Sequence, residues 1–491
     1  MAASPRTTKG TTAGAENEDV LAGRSGRVAG KAHDQAPLLE AGQGGERSSA
    51  APSHSFTIVA VLIAALGPLY FGYSLGYTSP ALPAIESQLE LTTGQASFFG
   101  ALVNIGAMMG SLSSGAVADA IGRKGVLAVA ACPGVLGWLI IALAQDPLAL
   151  YSGRLLCGFA TGTFSFAVPI YIAEVSPSHL RGGLGAVNQL GITIGIVLVY
   201  ALGMLIHWRT LAFIGVLPMG VLLLGLTVLP ESPRWLAKNE YQARLVAALR
   251  QLRGAECDTR TEMQEIQEAA RQSSAQPRAT LRDLFKRDLT WPLVAGVGLM
   301  VLQQFSGVNA VMFYSGTIFR AAGVHSADAA AFTCGLLQVF MTGLAVWLMD
   351  KAGRRLLLMV SAGGMAVSSA ALAYSFWLPP GSLAASYLAI ASLLVYIAAF
   401  SLGMGAVPWI IMSEIFPVHV RGLAGSCATL VNWTASFTVT QTFQYLLLWS
   451  APGAFLLYAV ECVVTVFFVS YFVPETRGRT LEEIEASFKT L

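Results

Sequence analysis

Apolar runs of about twenty residues, cut by short polar connections, recur along most of the chain. Each is long enough for a helix to cross a hydrocarbon core of about 30 Å. Twelve such spans are expected, near 56–77, 95–117, 126–145, 149–172, 184–206, 209–229, 291–316, 328–349, 356–377, 386–411, 424–448 and 453–473. The pattern changes between Pro230 and about Thr290, where apolar positions thin out and fall on single helical faces. Leu245, Ala248, Leu249 and Leu252 share one face, and Met263, Ile266 and Ala270 another. Thr280 and Asp283 follow with capping-box spacing. This stretch reads as three to four short surface helices. Residues 1–54 are rich in Gly, Ala, Ser and charge and cannot build a core. The expected divisions are a disordered tail (1–54), a six-helix half (55–230), a helical linker (231–290), a second six-helix half (291–474) and a short C-terminal segment (475–491).

Composition agrees with a polytopic all-α membrane protein. Of 491 residues, 54% are hydrophobic and 12% charged, against about 25% charged in soluble domains. A net charge of +2 gives no basis for a nucleic-acid partner. The six cysteines are scattered, five within apolar spans and none as CxxC, so neither a metal site nor a disulfide framework is expected. No early apolar core marks a signal peptide, so the first span is expected to direct targeting. Gly106 and Gly110, Gly158 and Gly162, and Gly191 and Gly195 have the small-xxx-small spacing of closely packed helices. Arg and Lys concentrate after even-numbered spans, at Arg123, Lys124, Arg181, Lys351, Arg354, Arg355, Arg421 and Arg477. By the positive-inside rule both termini are expected in the cytoplasm.

The two halves repeat each other. Asp119-Ala-Ile-Gly-Arg-Lys after span 2 answers Asp350-Lys-Ala-Gly-Arg-Arg after span 8. Glu174 to Gly182 after span 4 answers Glu414 to Gly422 after span 10, and Pro230-Glu231-Ser232 answers Pro474-Glu475-Thr476. The offsets are 231, 240 and 244 residues. Two six-helix halves related by a repeat are a transporter architecture. Charges at helix ends near the interface stabilise each other when paired. Asp119, Arg123, Glu174, Arg181, Glu231 and Arg234 are expected to form one network, with Arg154 reaching in. Asp350, Arg354, Arg355, Glu414, Arg421 and Glu475 are expected to form its twin. Two readings stand: a latch joining the halves on the cytoplasmic side, or fixed anchoring at the interface.

Candidate binding chemistry lies in span 7, where Gln303, Gln304 and Asn309 interrupt an apolar run around Gly307. Buried amides need partners, and a glycine between them can break the helix and bring backbone groups into a site. The stretch suits a neutral, hydroxyl-rich ligand, although amides also bond helix to helix. Glu461 is an acid within span 12, read either as a hydrogen-bonded glutamate or as a proton site. In the tail, Asp34 precedes Leu38 and Leu39 in DQAPLL, the form of a dileucine sorting signal. Such a signal would engage a clathrin adaptor.

These motifs resemble the sugar porter family of the major facilitator superfamily. They are Gly122-Arg123-Lys124, Gly153-Arg154, Glu174 to Gly182, Pro230-Glu231-Ser232-Pro233-Arg234, Gln303 to Asn309, Asp350 to Arg355, Glu414 to Gly422 and Pro474 to Gly478. The likeness covers 56–489 and is strongest to intracellular facilitative glucose transporters and plant early-dehydration-responsive-like monosaccharide transporters. It implies a major facilitator fold and a mid-membrane sugar site. The site would comprise Gln189, Gln303, Gln304, Asn309, Gln338 (an Asn in the family), Gly405, Trp409 and Asn432. The family's proton-carrying Asp of span 1 is Ser74 here. The resemblance therefore implies alternating-access transport of glucose or another hexose by facilitated diffusion. The alternatives are a proton-coupled symporter, a vacuolar or lysosomal sugar exporter, or a sugar-sensing receptor. No enzyme activity or cofactor is expected, and a monomer is the expected working unit. A vacuolar, lysosomal or endosomal membrane is expected if the tail signal acts, and the plasma membrane otherwise.

Overall fold

The computed structural model describes residues 54–254, 257–275, 280–286, 289–379, 382–477, 479 and 483. The tail signal Asp34, Leu38 and Leu39 lies outside these residues, as does most of the C-terminal segment. Among the described residues the chain is helical throughout, and ten helices are long and apolar enough to cross a membrane. The difference from twelve has two causes. Thr93–Leu143 runs as one helix through spans 2 and 3, turning at Gly122, where φ is 88°. Span 11 lies in Val418–Trp449, where Asn432, Thr434, Ser436, Thr438, Thr440, Gln441, Thr442 and Gln444 dilute the apolar character.

Local sequence sets the helix starts. Thr92 and Gln95 form a capping box before Thr93–Leu143. The side chains of Asp146, Ser382 and Ser450 cap the helices beginning at Pro147, Leu383 and Ala451. The glycine pairs lie where helices touch. A Cβ at Gly106 or Gly110 would strike the backbone of Leu155 or Phe159, and one at Gly158 or Gly162 that of Val103 or Ala107, so spans 2 and 4 meet backbone to backbone. Gly195 lies in the same way on Leu69, bringing span 5 onto span 1.

The linker holds three helices, Pro233–Lys238, Gln242–Arg253 and Arg260–Ala275, and a single-turn helix at Leu281–Phe285. Thr280 donates through N and Oγ1 to Asp283 Oδ2 at 2.7 and 2.8 Å, closing the capping box. Leu245, Ala248 and Leu249 pack with Trp235 and Leu236 against Met263, Ile266 and Ala270 in a small core of their own. Arg253 ties this layer to the bundle. Its guanidinium holds Val175 O, Thr57 Oγ1 and the Glu262 carboxylate, and Thr57 donates to Leu252 O at 2.8 Å.

Candidate functional site

Span 7 breaks at Gly307. Helix Thr290–Phe305 ends, Gly307 takes φ 93°, and helix Val308–Ala321 begins. The ring of Tyr458 packs where a Cβ would stand. The break places Gln303 and Gln304 on the last turn of one helix and Asn309 on the first turn of the next. A contiguous amide chain results. Gln303 Nε2 donates to Met404 O at 2.6 Å and to Gly405 O at 3.3 Å. Its Oε1 accepts from Asn432 Nδ2 at 2.9 Å. Gln304 Nε2 donates to Asn432 Oδ1 at 3.2 Å, and its Oε1 accepts from Asn309 Nδ2 at 2.7 Å.

The chain continues beyond the residues expected from sequence. Asn309 also donates to Ser436 Oγ, and Ser436 donates to Asn104 Oδ1 at 2.8 Å. Asn104 belongs to span 2, in the other half. Ser436, one turn beyond Asn432, and the single amide of NIGAMMG carry the same signal that marks Gln303: a polar group in an apolar span. The structure brings together Gln303, Gln304, Asn309, Asn432 and the Gly405 carbonyl. It does not join the other three to them. Gln189 is half-buried in span 5. Gln338 is buried, and its Oε1 has no hydrogen-bond partner among the described residues. Trp409 is exposed on Val407–Ile415.

The charged motifs gather at one end, and each half repeats the same arrangement. Glu231 accepts from the backbone N of Arg123 at 2.8 Å and of Lys124 at 3.1 Å, while Glu475 accepts from Arg354 N at 3.0 Å and Arg355 N at 3.2 Å. Each carboxylate thus sits on the N-terminus of span 3 or span 9, where the helix dipole favours a negative charge. Gly122 and Gly353, both with positive φ, lie against these carboxylates and leave no room for a Cβ. Arg123 contacts Glu174 at 2.9 and 3.0 Å and Asp119 at 3.6 Å; Arg354 faces Glu414 at 3.5 Å.

Several residues expected in these networks stand apart. Arg181 and Arg421 donate to the carbonyls of Ala173 and Phe416 instead of to an acid. Arg234 lines a cavity of about 550 Å³ with Glu174, Arg181 and Glu262. The side chain of Asp350 lies outside the described set. Arg154 sits near the opposite end of span 4 from Glu174, fully buried. It donates to Ser74 O at 2.8 Å and Thr78 Oγ1 at 2.6 Å, with the rings of Phe99 and Phe313 5.3 and 5.9 Å away. The expectation that it reaches into the charged network is not met, because a side chain cannot cross most of a membrane-spanning helix. In span 12, Glu461 accepts from Thr465 Oγ1 at 3.0 Å, and its second oxygen is buried with no hydrogen-bond partner among the described residues.

Among the described residues the hydrogen bonds between the halves lie away from the charged end. Besides Ser436–Asn104, they include Ser97 to Gln444 at 2.9 Å, Ser79 with Ser315 at 2.9 Å and Tyr200 to Met312 O at 2.6 Å. At the charged end a cavity of about 240 Å³ opens between Asp119, Arg123 and Phe166 of one half and Gly422 and Ser426 of the other. Among the described residues the ion pairs there lie within one half or between a half and the linker, none from half to half.

Residues 60–488 match the family model described as sugar (and other) transporter. The chain is 49% identical over 439 residues to sugar transporter ERD6-like 6 of Arabidopsis thaliana, covering 88% of this chain and 90% of the relative. It is 41% identical to sugar transporter ERD6-like 16 of the same plant, covering 94% and 97%. Among solved structures, the inward open conformation of the xylose transporter XylE from E. coli superimposes with a TM-score of 0.75 at 27% identity, covering 88% of this chain and 99% of that one. The proton:xylose symporter XylE bound to 6-bromo-6-deoxy-D-glucose gives 0.72 at 28% identity, with the same coverage.

Proposed function

The chain belongs to the sugar transporter family of the major facilitator superfamily, and from that premise we propose that it moves a hexose by alternating access around the amide cluster. Transport of sugar across a membrane follows from the family; the chain is a carrier and not an enzyme. The observation that carries the site is the break at Gly307, which sets Gln303, Gln304, Asn309 and Asn432 side by side as paired donors and acceptors. Sugar hydroxyls are met by such amides, and a flat aromatic covers the C–H face of the ring. Trp409 and Gln338 complete the site from spans 10 and 8, and Gln189 from the N-terminal half, once the halves close on the sugar.

The charged end is cytoplasmic, by the distribution of Arg and Lys. The charged networks form a latch between the halves when that side is shut. Support comes from their present state: among the described residues no ion pair joins the halves, a cavity separates them, and the inter-half bonds lie toward the other end.

Two modes of energising remain distinct. Ser74 opposite Arg154 favours facilitated diffusion, since a hydroxyl there carries no proton. The solved neighbours described as proton symporters favour coupling, which in this chain would fall to Glu461, with its unpaired buried oxygen. Labelled glucose, fructose and xylose in liposomes, at equal pH and under a pH gradient, separate the two. Equilibration unaffected by the gradient establishes the first mode. Uphill uptake abolished by Glu461→Gln establishes the second. Gln304→Ala with unchanged KM for every transported sugar would remove the amide cluster from the site. The compartment follows from Leu38 and Leu39. Their joint replacement by Ala should shift the protein to the cell surface, and an unchanged distribution would end the vacuolar or lysosomal reading.

A further inference from the structure

Asn104 is fully buried in span 2, and its amide is only half used. Oδ1 accepts from Ser436, while Nδ2 has no protein partner among the described residues. A buried amide with idle donors is costly, and Leu or Ala would fit an apolar span at no such cost. If its role were only to join two helices, the bond to Ser436 would suffice, and a hydroxyl in place of the amide would make it. The idle donors adjoin a setting suited to a sugar. Ser436 links Asn104 directly to Asn309. One turn before Ser436, the buried Trp433 also carries an unpaired indole N–H, and its ring lies 5.9 Å from Phe71 of the opposite half.

We propose that Asn104 is a sugar-contacting, selectivity-setting residue supplied by the N-terminal half, giving its Nδ2 to one hydroxyl of the substrate while Oδ1 stays on Ser436. The inference rests on the amide cluster being the sugar site. It adds that the N-terminal half supplies a contact of its own to that site, through the side chain that Ser436 links to Asn309.

The test uses the full-length purified protein. Glucose, fructose and xylose are compared for binding, and the tightest is taken forward with its singly deoxygenated analogues. In the wild type each missing hydroxyl weakens binding by its own factor. In Asn104→Ala the parent sugar should bind about 3- to 10-fold more weakly, the scale of one neutral hydrogen bond. One deoxy analogue should then lose its penalty while the others keep theirs, the mark of a coupled pair. Asn104→Ser, which retains a hydroxyl for Ser436 but lacks the reach, should behave the same way with an undisturbed melting temperature. That result separates contact from support, since a supporting role would weaken all analogues together. If every penalty persists in both variants, Asn104 does not touch the sugar. If the penalties also persist in Gln304→Ala, or none of the three sugars binds, the amide-site reading falls and this inference falls with it.

Discussion

Gly307→Ala puts the break in span 7 to a quantitative test. The glycine stands at φ 93°, and a Cβ on it would lie 2.7 Å from two carbons of the Tyr458 ring. An L-residue in the left-handed region costs about 1–2 kcal/mol, and intrusion on a packed ring about 1–3 kcal/mol. The sum is about 2–5 kcal/mol. Helices lie on both sides, so the cheapest relief is for the break to straighten. Straightening shifts Asn309 relative to Gln304 and pulls at their 2.7 Å bond. The loss should therefore appear in the population of the binding-competent site. A bias of about 2 kcal/mol lowers apparent affinity about 30-fold. Equilibrium sugar binding measures it, with the melting temperature followed in parallel. Adding Tyr458→Leu to Gly307→Ala should remove the steric share and leave the backbone share, recovering part of the affinity. Wild-type affinity in Gly307→Ala would refute the reasoning.

Three further outcomes follow from the geometry. Glu231→Gln and Glu475→Gln each remove a charge from a helix N-terminus, and each should cost about 1–2 kcal/mol. Their effects on thermal unfolding should be similar and additive, and a large cost at one with none at the other would break the equivalence of the repeats. His54 packs 5.0 Å from His179 at the linker's docking point, and burial, then His179 and Arg253, hold its imidazole below the usual 6.5, against a smaller opposite pull from Glu262. The folded state then takes up its proton later than the unfolded state, so stability should fall as pH drops below about 6.5 and level off once folded His54 also protonates. Melting curves should show this in the wild type and show it less in His54→Phe. Ser74→Asp would set a carboxylate beside Arg154, and liposome uptake should become responsive to a pH gradient; an accumulation ratio unmoved by the gradient would show that this charge pair alone cannot couple.

The spans were legible because lipid demands long apolar runs, and the break at Gly307 because three amides around a glycine fit no continuous apolar helix. The pairing of Glu231 and Glu475 with the ends of spans 3 and 9 was foreshadowed only as a repeated motif. Which atoms meet depends on Gly122 and Gly353 turning the backbone under each carboxylate. Motif grouping ignores depth, and the distance of Arg154 from Glu174 along one rigid helix keeps it out of that network. Asn104 and Ser436 are silent in the sequence because a lone amide and a lone hydroxyl carry meaning only when two helices from different halves face each other. Gln189, Gln338 and Trp409 are marked only by motif position, and their closing on a ligand depends on a movement of the halves that no sequence pattern encodes.

The carboxylates of Glu231 and Glu475 read main-chain N–H groups, not side chains, at positions 123, 124, 354 and 355. The joint within each half is thus indifferent to which residues occupy those positions. Their side chains are free for other work, as when Lys124 reaches Leu229 O or Arg354 turns to Glu414. A substitution scan across these positions should therefore separate two properties that share one address. Ordinary replacements would remove only those side-chain contacts and keep the main-chain joint, whereas proline at Lys124 or Arg355, lacking the N–H, would break the joint itself.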